Sequence, residues 1–137
     1  MPDQNIALNI TVNWIRLKGP DRPYQWGDRK DATFDPNWRK ANLIYRWVKN
    51  STQEVAVVGE TDRALSERVN NYISATPDSQ AGATNKKVYR EQTNLQRNND
   101  FLYLEFTENV PGYNLNNQKE RRFAESLLIG YTRPYLQ

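Results

Sequence analysis

The chain has 137 residues, enough for a single domain, and its 12% aromatic content indicates a folded protein despite a polar mean hydropathy of −0.93. Its 19 basic and 16 acidic residues leave a formal net charge of +3, which permits an anionic partner without requiring one. It contains no cysteine and no histidine, which excludes disulfides, thiolate metal sites and every catalytic scheme that depends on imidazole.

Alternation and apolar runs predict the strands in the first half of the chain. Residues 6–14 alternate apolar and polar side chains, which is the pattern of a half-buried strand. Residues 18–40 are rich in Gly, Pro, Asp and Arg and predict a long ordered loop. Residues 42–48 and 54–59 are apolar, partly β-branched runs, and the polar residues between them predict a β-hairpin.

Helical spacing dominates the second half. Thr61 or Asp62 is expected to cap a helix that runs to about Ser74. The side chains of this helix that face the core are predicted to be Leu65, Val69, Tyr72 and Ile73. A weaker helix is predicted over residues 85–97, a strand over 101–106 and a last helix over 118–131. The last helix is expected to turn toward the core the side chains of Phe123, Leu127, Leu128 and Tyr131.

This order of elements predicts an α+β fold, with a small, largely antiparallel central sheet flanked by helices. Residues 1–41 would form an N-terminal strand and loop extension and residues 42–137 the main domain, within one compact unit. No apolar run approaches the roughly 20 residues that cross a bilayer, and the first residues lack the features of a signal peptide. We therefore expect a cytoplasmic protein that does not bind a membrane.

Without imidazole, any chemistry must use carboxylates, Tyr, Lys, Arg, Ser or Thr, with oxygen-ligated metals such as Mg²⁺. Four short segments carry such residues. They are Leu43-Ile44-Tyr45, Val57-Val58-Gly59, a helical stretch from Leu65 to Tyr72 that contains Arg68, and Glu125 followed by a turn with Tyr131 and Pro134. In this order and spacing the segments resemble the GIY-YIG nuclease family, over roughly residues 42–137.

The resemblance implies a divalent-metal-dependent DNA endonuclease, specific for a site or a structure in duplex DNA. Glu125 would bind one Mg²⁺ or Mn²⁺ ion, with water completing the coordination shell. Arg68 would bind a non-bridging phosphate oxygen with its permanently charged guanidinium. Tyr45 would activate or position the attacking water, assisted by Tyr72 from one turn after Arg68. A tyrosine serves as a base only if nearby charge lowers its pKa below the usual value of about 10.

Departures from the family pattern keep other interpretations open. Leu43 stands in place of a glycine, Val57 in place of a tyrosine of the catalytic group, and Gln137 in place of the final asparagine. The main alternative is a catalytically impaired relative that binds DNA or a protein, and a second is an unrelated α+β interaction protein with coincidental motifs. A free-standing module of this size resembles restriction-type members most, and it could act as a homodimer to cut both strands.

Basic side chains outside the four segments are candidates for DNA contact. In the long loop they interleave with aromatic residues, a mixture suited to phosphate contact and base stacking. For Trp26, Phe34 and Trp38 we favour the alternative, in which these rings only pin the loop to the sheet. A second basic segment lies on the helix predicted over residues 85–97. The candidates for DNA binding are Arg22, Arg29, Lys30, Arg39, Lys40, Lys86, Lys87 and Arg90.

Overall fold

A computed structural model describes residues 10–137 of the chain. The strands are β1 (Ile15–Arg16), β2 (Leu43–Lys49), β3 (Val55–Thr61) and β4 (Leu102–Thr107), and the helices are α1 (Leu65–Ile73), α2 (Ala83–Gln96) and α3 (Gln118–Thr132), with a short 3₁₀ helix over Pro36–Arg39. Within the described residues, the four strands form one antiparallel sheet in the order β1-β4-β2-β3. The predicted α+β class is therefore confirmed.

The predicted hairpin is confirmed as β2 and β3. Its cross-strand pairs begin with Leu43 opposite Thr61 and include Tyr45 opposite Gly59. The other edge of β2 pairs with β4, so β2 is one of the two inner strands and is buried on both faces. β3 forms one edge of the sheet.

The long N-terminal strand is wrong for residues 10–14, which form no strand, and residues 6–9 lie outside the described part of the chain. β1 contains only Ile15 and Arg16, which pair with Phe106 and Glu105. The antiparallel register places Trp14 opposite Thr107, the last residue of β4, so residues before Trp14 have no partner on that strand. The alternation still has a structural role, because Val12 and Trp14 pack against a core cluster.

Both faces of the sheet are covered, because side chains alternate along each strand. One face packs against α1, α2 and the long loop, and its cluster includes Leu17, Tyr24, Trp38, Tyr45, Trp47, Val57, Leu65, Val69, Tyr72, Val88 and Leu95. The other face packs against α3, through Ile44, Val58, Val110, Leu115, Ala124 and Leu128. The loop is thus part of the same core as the hairpin.

The predicted core positions of α1 are confirmed, with Leu65, Val69 and Tyr72 buried and Ile73 partly buried. The predicted cap is wrong. Ala64 occupies the N-cap position without a side-chain hydrogen bond, because β3 extends through Thr61 and places that residue in the sheet. No helix among the described residues combines the length and apolar character that a membrane crossing demands.

The predicted core face of α3 is wrong for Phe123 and Tyr131, whose side chains are 57% and 86% exposed. Leu127 is half-buried and only Leu128 of the predicted set is buried. The buried residues of α3 are Arg121, Ala124 and Leu128. Apolar residues lie on two sides of this helix, and the partners offered by the sheet decide which side faces inward.

The interpretation of the loop aromatics as packing residues is confirmed for Trp26 and Trp38. Trp38 is buried against Tyr24 with ring centroids 4.8 Å apart, and Trp26 packs on Trp47 at 5.0 Å. Phe34 is partly buried. These contacts explain how a long loop without regular strands keeps one conformation.

Candidate active site

The site begins with a close contact between two opposed residues of the hairpin. Tyr45 on β2 lies opposite Gly59 on β3. A Cβ added to Gly59 would lie 2.2 Å from the phenol oxygen of Tyr45, well inside van der Waals contact. The absence of a side chain at Gly59 therefore lets the Tyr45 ring lie across β3, with its hydroxyl at the sheet edge.

Helix α1 brings two further side chains to this hydroxyl, because residues 68 and 72 are one turn apart on the same face. The hydroxyls of Tyr45 and Tyr72 share a hydrogen bond at 2.8 Å. The Nε atom of Arg68 donates a hydrogen bond to the Tyr45 oxygen, also at 2.8 Å. The Arg68 guanidinium also lies 5.0 Å from the ring centroid of Tyr72, within cation–π range. The two phenols thus hold Arg68 in one orientation.

Both phenols are 1% exposed. Burial raises the pKa of Tyr45 well above its ordinary value of 10.0, and the Arg68 charge does not compensate for it. Burial likewise raises the pKa of Tyr72, against the opposing influence of Arg68. The phenols are therefore neutral at physiological pH. The condition for a tyrosine base, a lowered pKa, is not met by the residues around Tyr45.

Glu125 approaches the same place from α3, on the opposite side of the sheet. Its carboxyl is half-buried beside the backbone of Glu60, which favours the charged form. Burial, and next the Glu60 carboxylate, nevertheless raise the pKa of Glu125, while Arg68 acts to lower it. The charge of Glu125 also acts on Tyr72. The four residues singled out from the sequence are thus brought together at the outer edge of β3.

Sequence reasoning missed a buried ion pair beneath this edge. Arg121 is 2% exposed and donates through Nε to the Glu60 carboxylate. Its Nη1 donates to the Leu115 carbonyl at 2.9 Å and to the Asn42 side chain at 3.2 Å. The available signal was the position of Arg121, one helical turn before Glu125. An arginine amid polar neighbours, however, gives no sign in the sequence that it will be buried.

The remaining edge of β3 is closed by the last residues of the chain. Gln137 donates to the Val58 carbonyl at 2.7 Å and accepts from the Val58 N–H at 2.9 Å. Tyr135 and Leu136 donate backbone hydrogen bonds to the carbonyls of Val55 and Ala56. The side-chain amide of Gln137 therefore acts as a substitute strand partner. Gln137, which the resemblance to GIY-YIG nucleases sets in place of an asparagine, therefore covers the edge of β3 at Val58.

Val57, which stands in place of a family tyrosine, is buried in the core opposite Trp47. It brings no polar atom to the site. Leu43, in place of a glycine, is also a core residue. These two departures leave the polar part of the site to Tyr45, Arg68 and Glu125, with Tyr72 supporting them.

A metal ion at this site would depend on few protein ligands. Among residues 10–137, no group of three or more acidic side chains is arranged to hold an ion. Glu125 fits the role of a single carboxylate ligand, because it is half-buried and lies close to a second negative charge on Glu60. A divalent cation would offset both the burial of the Glu125 charge and its repulsion by Glu60. Water or phosphate oxygens would be the other ligands of the cation.

Most of the predicted DNA-binding cations have protein partners. Arg22 forms two hydrogen bonds with Asp28, Arg29 pairs with Asp31 at 2.8 Å, and Lys40 pairs with Glu108 at 2.6 Å. Lys30 donates to the Asn70 side chain and Lys86 to the Pro77 carbonyl. Burial lowers the pKa of Lys30. The exposed candidates that form no ion pair within the described residues are Arg39, Lys87 and Arg90.

Comparison of this chain with family models, with curated proteins and with solved structures finds no match. What the protein does has therefore to be inferred from its own residues. The strongest indication they offer is the convergence of a guanidinium, a carboxylate and two buried phenols from three different elements.

Proposed function

We propose that this protein is a divalent-metal-dependent DNA endonuclease with a GIY-YIG-like active site. One observation carries the proposal: Arg68 on α1 and Glu125 on α3, far apart in sequence, lie within electrostatic reach of each other at the edge of β3. A phosphodiester needs both a cationic clamp and a carboxylate that recruits a metal, and these two residues provide that combination.

In this proposal Arg68 binds the scissile phosphate. Its Nε is held by the Tyr45 hydroxyl, so the guanidinium cannot rotate freely and presents its terminal N–H groups to an anion in a fixed direction. Orientation before the substrate arrives reduces the entropy lost on binding. The half-buried position of Arg68 also strengthens its attraction for phosphate, because less water screens the charge.

Glu125 would hold the metal ion. A bound Mg²⁺ or Mn²⁺ ion supplies Lewis-acid polarisation of the phosphate and stabilises negative charge on the leaving oxygen. The carboxylate of Glu125 lies beside the backbone of Glu60, and Ala124 and Leu128 of the same helix pack against the sheet.

Tyr45 and Tyr72 act as positioning residues rather than as bases. Both hydroxyls are buried, neutral and committed to one hydrogen-bonded chain that ends on Arg68. Proton removal from the attacking water is therefore assigned to neither phenol. In this proposal Tyr45 does not activate the attacking water. It positions the guanidinium of Arg68.

The test is nicking of supercoiled plasmid DNA with Mg²⁺ or Mn²⁺. Arg68→Ala and Glu125→Gln should each abolish nicking. Their matched controls are Arg63→Ala and Glu67→Gln, which change exposed residues near the start of α1 and should cleave as the wild type does. Nicking that survives in both site variants would reject the proposal.

A second candidate function is a DNA- or protein-binding module without catalysis. It is favoured by the buried, apolar Val57 at a position where the family has a tyrosine. Wild-type protein that shifts DNA in a gel but nicks no DNA with either metal would support this candidate over the endonuclease.

A further inference from the structure

A groove of about 290 Å³ runs along the outer side of α3. It is lined by Gln118, Lys119, Arg122, Phe123 and Ser126. These residues recur at helical spacing and form one stripe. Phe123 is the large apolar member, and 57% of its surface is exposed. An aromatic ring left in solvent among polar side chains has no packing function within residues 10–137.

The charge of the groove is uniformly positive or neutral. Its lining contains two cations and no carboxylate. Lys119 forms no ion pair within residues 10–137, and Arg122 has only a loose contact of 3.8 Å with Glu60 while remaining 64% exposed. An exposed ring flanked by available cations, an amide and a hydroxyl matches the chemistry of a nucleic-acid strand. The ring stacks on a base and the cations contact phosphates.

One residue, Arg122, links the groove to the candidate active site. Arg122 and Ser126 flank Glu125 on the same helix, and the charge of Arg122 acts to lower the Glu125 pKa. A strand whose phosphate lies between Arg68 and Glu125 would reach Phe123 by passing over Arg122, which lies between Glu125 and Phe123 round the helix. The other exposed aromatic of α3, Tyr131, lies in a separate groove, where the one cation among the described lining residues, Arg46, is paired with Glu105.

We infer that this groove holds an unpaired strand of the substrate next to the cleaved phosphate, with Phe123 stacked on a base. The inference rests on the proposed function and makes it more specific. The face of a base is accessible to a side chain only when the base is unstacked, as in a tail, flap or bubble. The substrate class is therefore DNA with a single-stranded segment beside a duplex, rather than an uninterrupted duplex.

Binding is measured by fluorescence anisotropy with a labelled blunt duplex and with the same duplex carrying a single-stranded tail, in EDTA to prevent cleavage. Phe123→Ala should weaken binding to the tailed DNA about tenfold and leave the blunt duplex unaffected. Phe123→Tyr, which keeps a ring, should retain the affinity, whereas Phe123→Leu should lose it. Tyr131→Ala is the matched control and should behave as the wild type. Lys119→Gln should reduce the salt dependence of tail binding by about 0.7 in the log–log slope.

Equal affinities of Phe123→Ala and wild type for the tailed DNA would overturn the inference, and so would an equal loss in Tyr131→Ala. These outcomes leave the endonuclease proposal standing if Arg68 and Glu125 remain necessary for nicking. Conversely, tail binding that requires Phe123 in a protein that cuts no DNA would support the groove assignment and reject the endonuclease.

Discussion

The phenol of Tyr45 lies over Gly59, its cross-strand partner, so closely that even a methyl group at residue 59 would meet the ring. This contact directs the Tyr45 hydroxyl toward Arg68 and Tyr72. The glycine thus belongs to the candidate site although it contributes no functional group. Its role can be tested by mutation.

Gly59→Ala should destabilise the protein by about 1–3 kcal/mol, because the Tyr45 ring must move and break its hydrogen bonds. The measurement is urea unfolding followed by circular dichroism. Gly130→Ala is the matched control, because it lies on α3 with nothing near its added Cβ and should stabilise by up to about 1 kcal/mol. A Gly59→Ala protein as stable as the wild type would show that the close contact is not maintained in solution.

Tyr45→Phe should lower the nicking rate by roughly 10- to 100-fold, because Arg68 loses the acceptor that orients it. Tyr72→Phe should have a smaller effect, since Tyr45 still accepts from Arg68. The pKa values of both tyrosines are raised above 10.0 by burial, so both are protonated throughout the range of about pH 6 to 9. The pH profile of the rate should therefore keep its shape in both variants. A limb of the profile that disappears in Tyr45→Phe would instead identify Tyr45 as the base.

The stability of the wild type relative to Glu125→Gln should fall as the pH rises from about 4 to 7. Burial and the Glu60 carboxylate raise the pKa of Glu125 above its ordinary value of 4.5, so the folded state holds this proton more tightly than the unfolded state. The contribution of Glu125 to the free energy of unfolding is fully present below pH 4.5, and it is lost as the carboxyl ionises in the folded protein. Urea unfolding of both proteins across this pH range measures the difference.

Addition of Mg²⁺ at pH 7 provides the control for that experiment. A cation bound by the Glu125 carboxylate should raise the stability of the wild type and leave Glu125→Gln unchanged. Equal stabilisation of both proteins would place the ion elsewhere. A wild type that gains stability over the variant as the pH rises would contradict the raised pKa.

Glu60→Gln should lower the free energy of unfolding by about 3–5 kcal/mol, because it leaves the charge of Arg121 buried without its counter-ion. The double variant with Arg121→Met should lose less than the sum of the two single changes, since both charges are removed together. The comparison is the surface pair of Lys40 and Glu108, where Glu108→Gln should change the free energy of unfolding by less than about 1 kcal/mol. Additive losses at Glu60 and Arg121 would show that they do not interact.

Local sequence patterns were sufficient to predict much of the fold and the residues that form the candidate site. The apolar runs of β2 and β3, and the helical spacing of Leu65, Val69 and Tyr72, predicted elements and core faces that the structure contains. Such periodicities show which side of a strand or helix is apolar, and this pattern is contained in the sequence of the segment itself. The order of the motifs also selected Tyr45, Arg68, Tyr72 and Glu125, which do converge.

Only the tertiary structure decided the properties that depend on contacts between elements, namely strand length, side-chain exposure, protonation and pairing. The first strand cannot extend before Trp14 because β4 ends at Thr107, and Phe123 faces solvent because Arg121, tied to Glu60, turns the other side of α3 inward. The same holds for the neutral state of Tyr45 and for the pairing of Gln137 with Val58. Each depends on a partner distant in sequence, and periodicity within one segment contains no information about that partner. Composition therefore determined which chemistry was available, whereas packing decided where its groups meet and which of them carry charge.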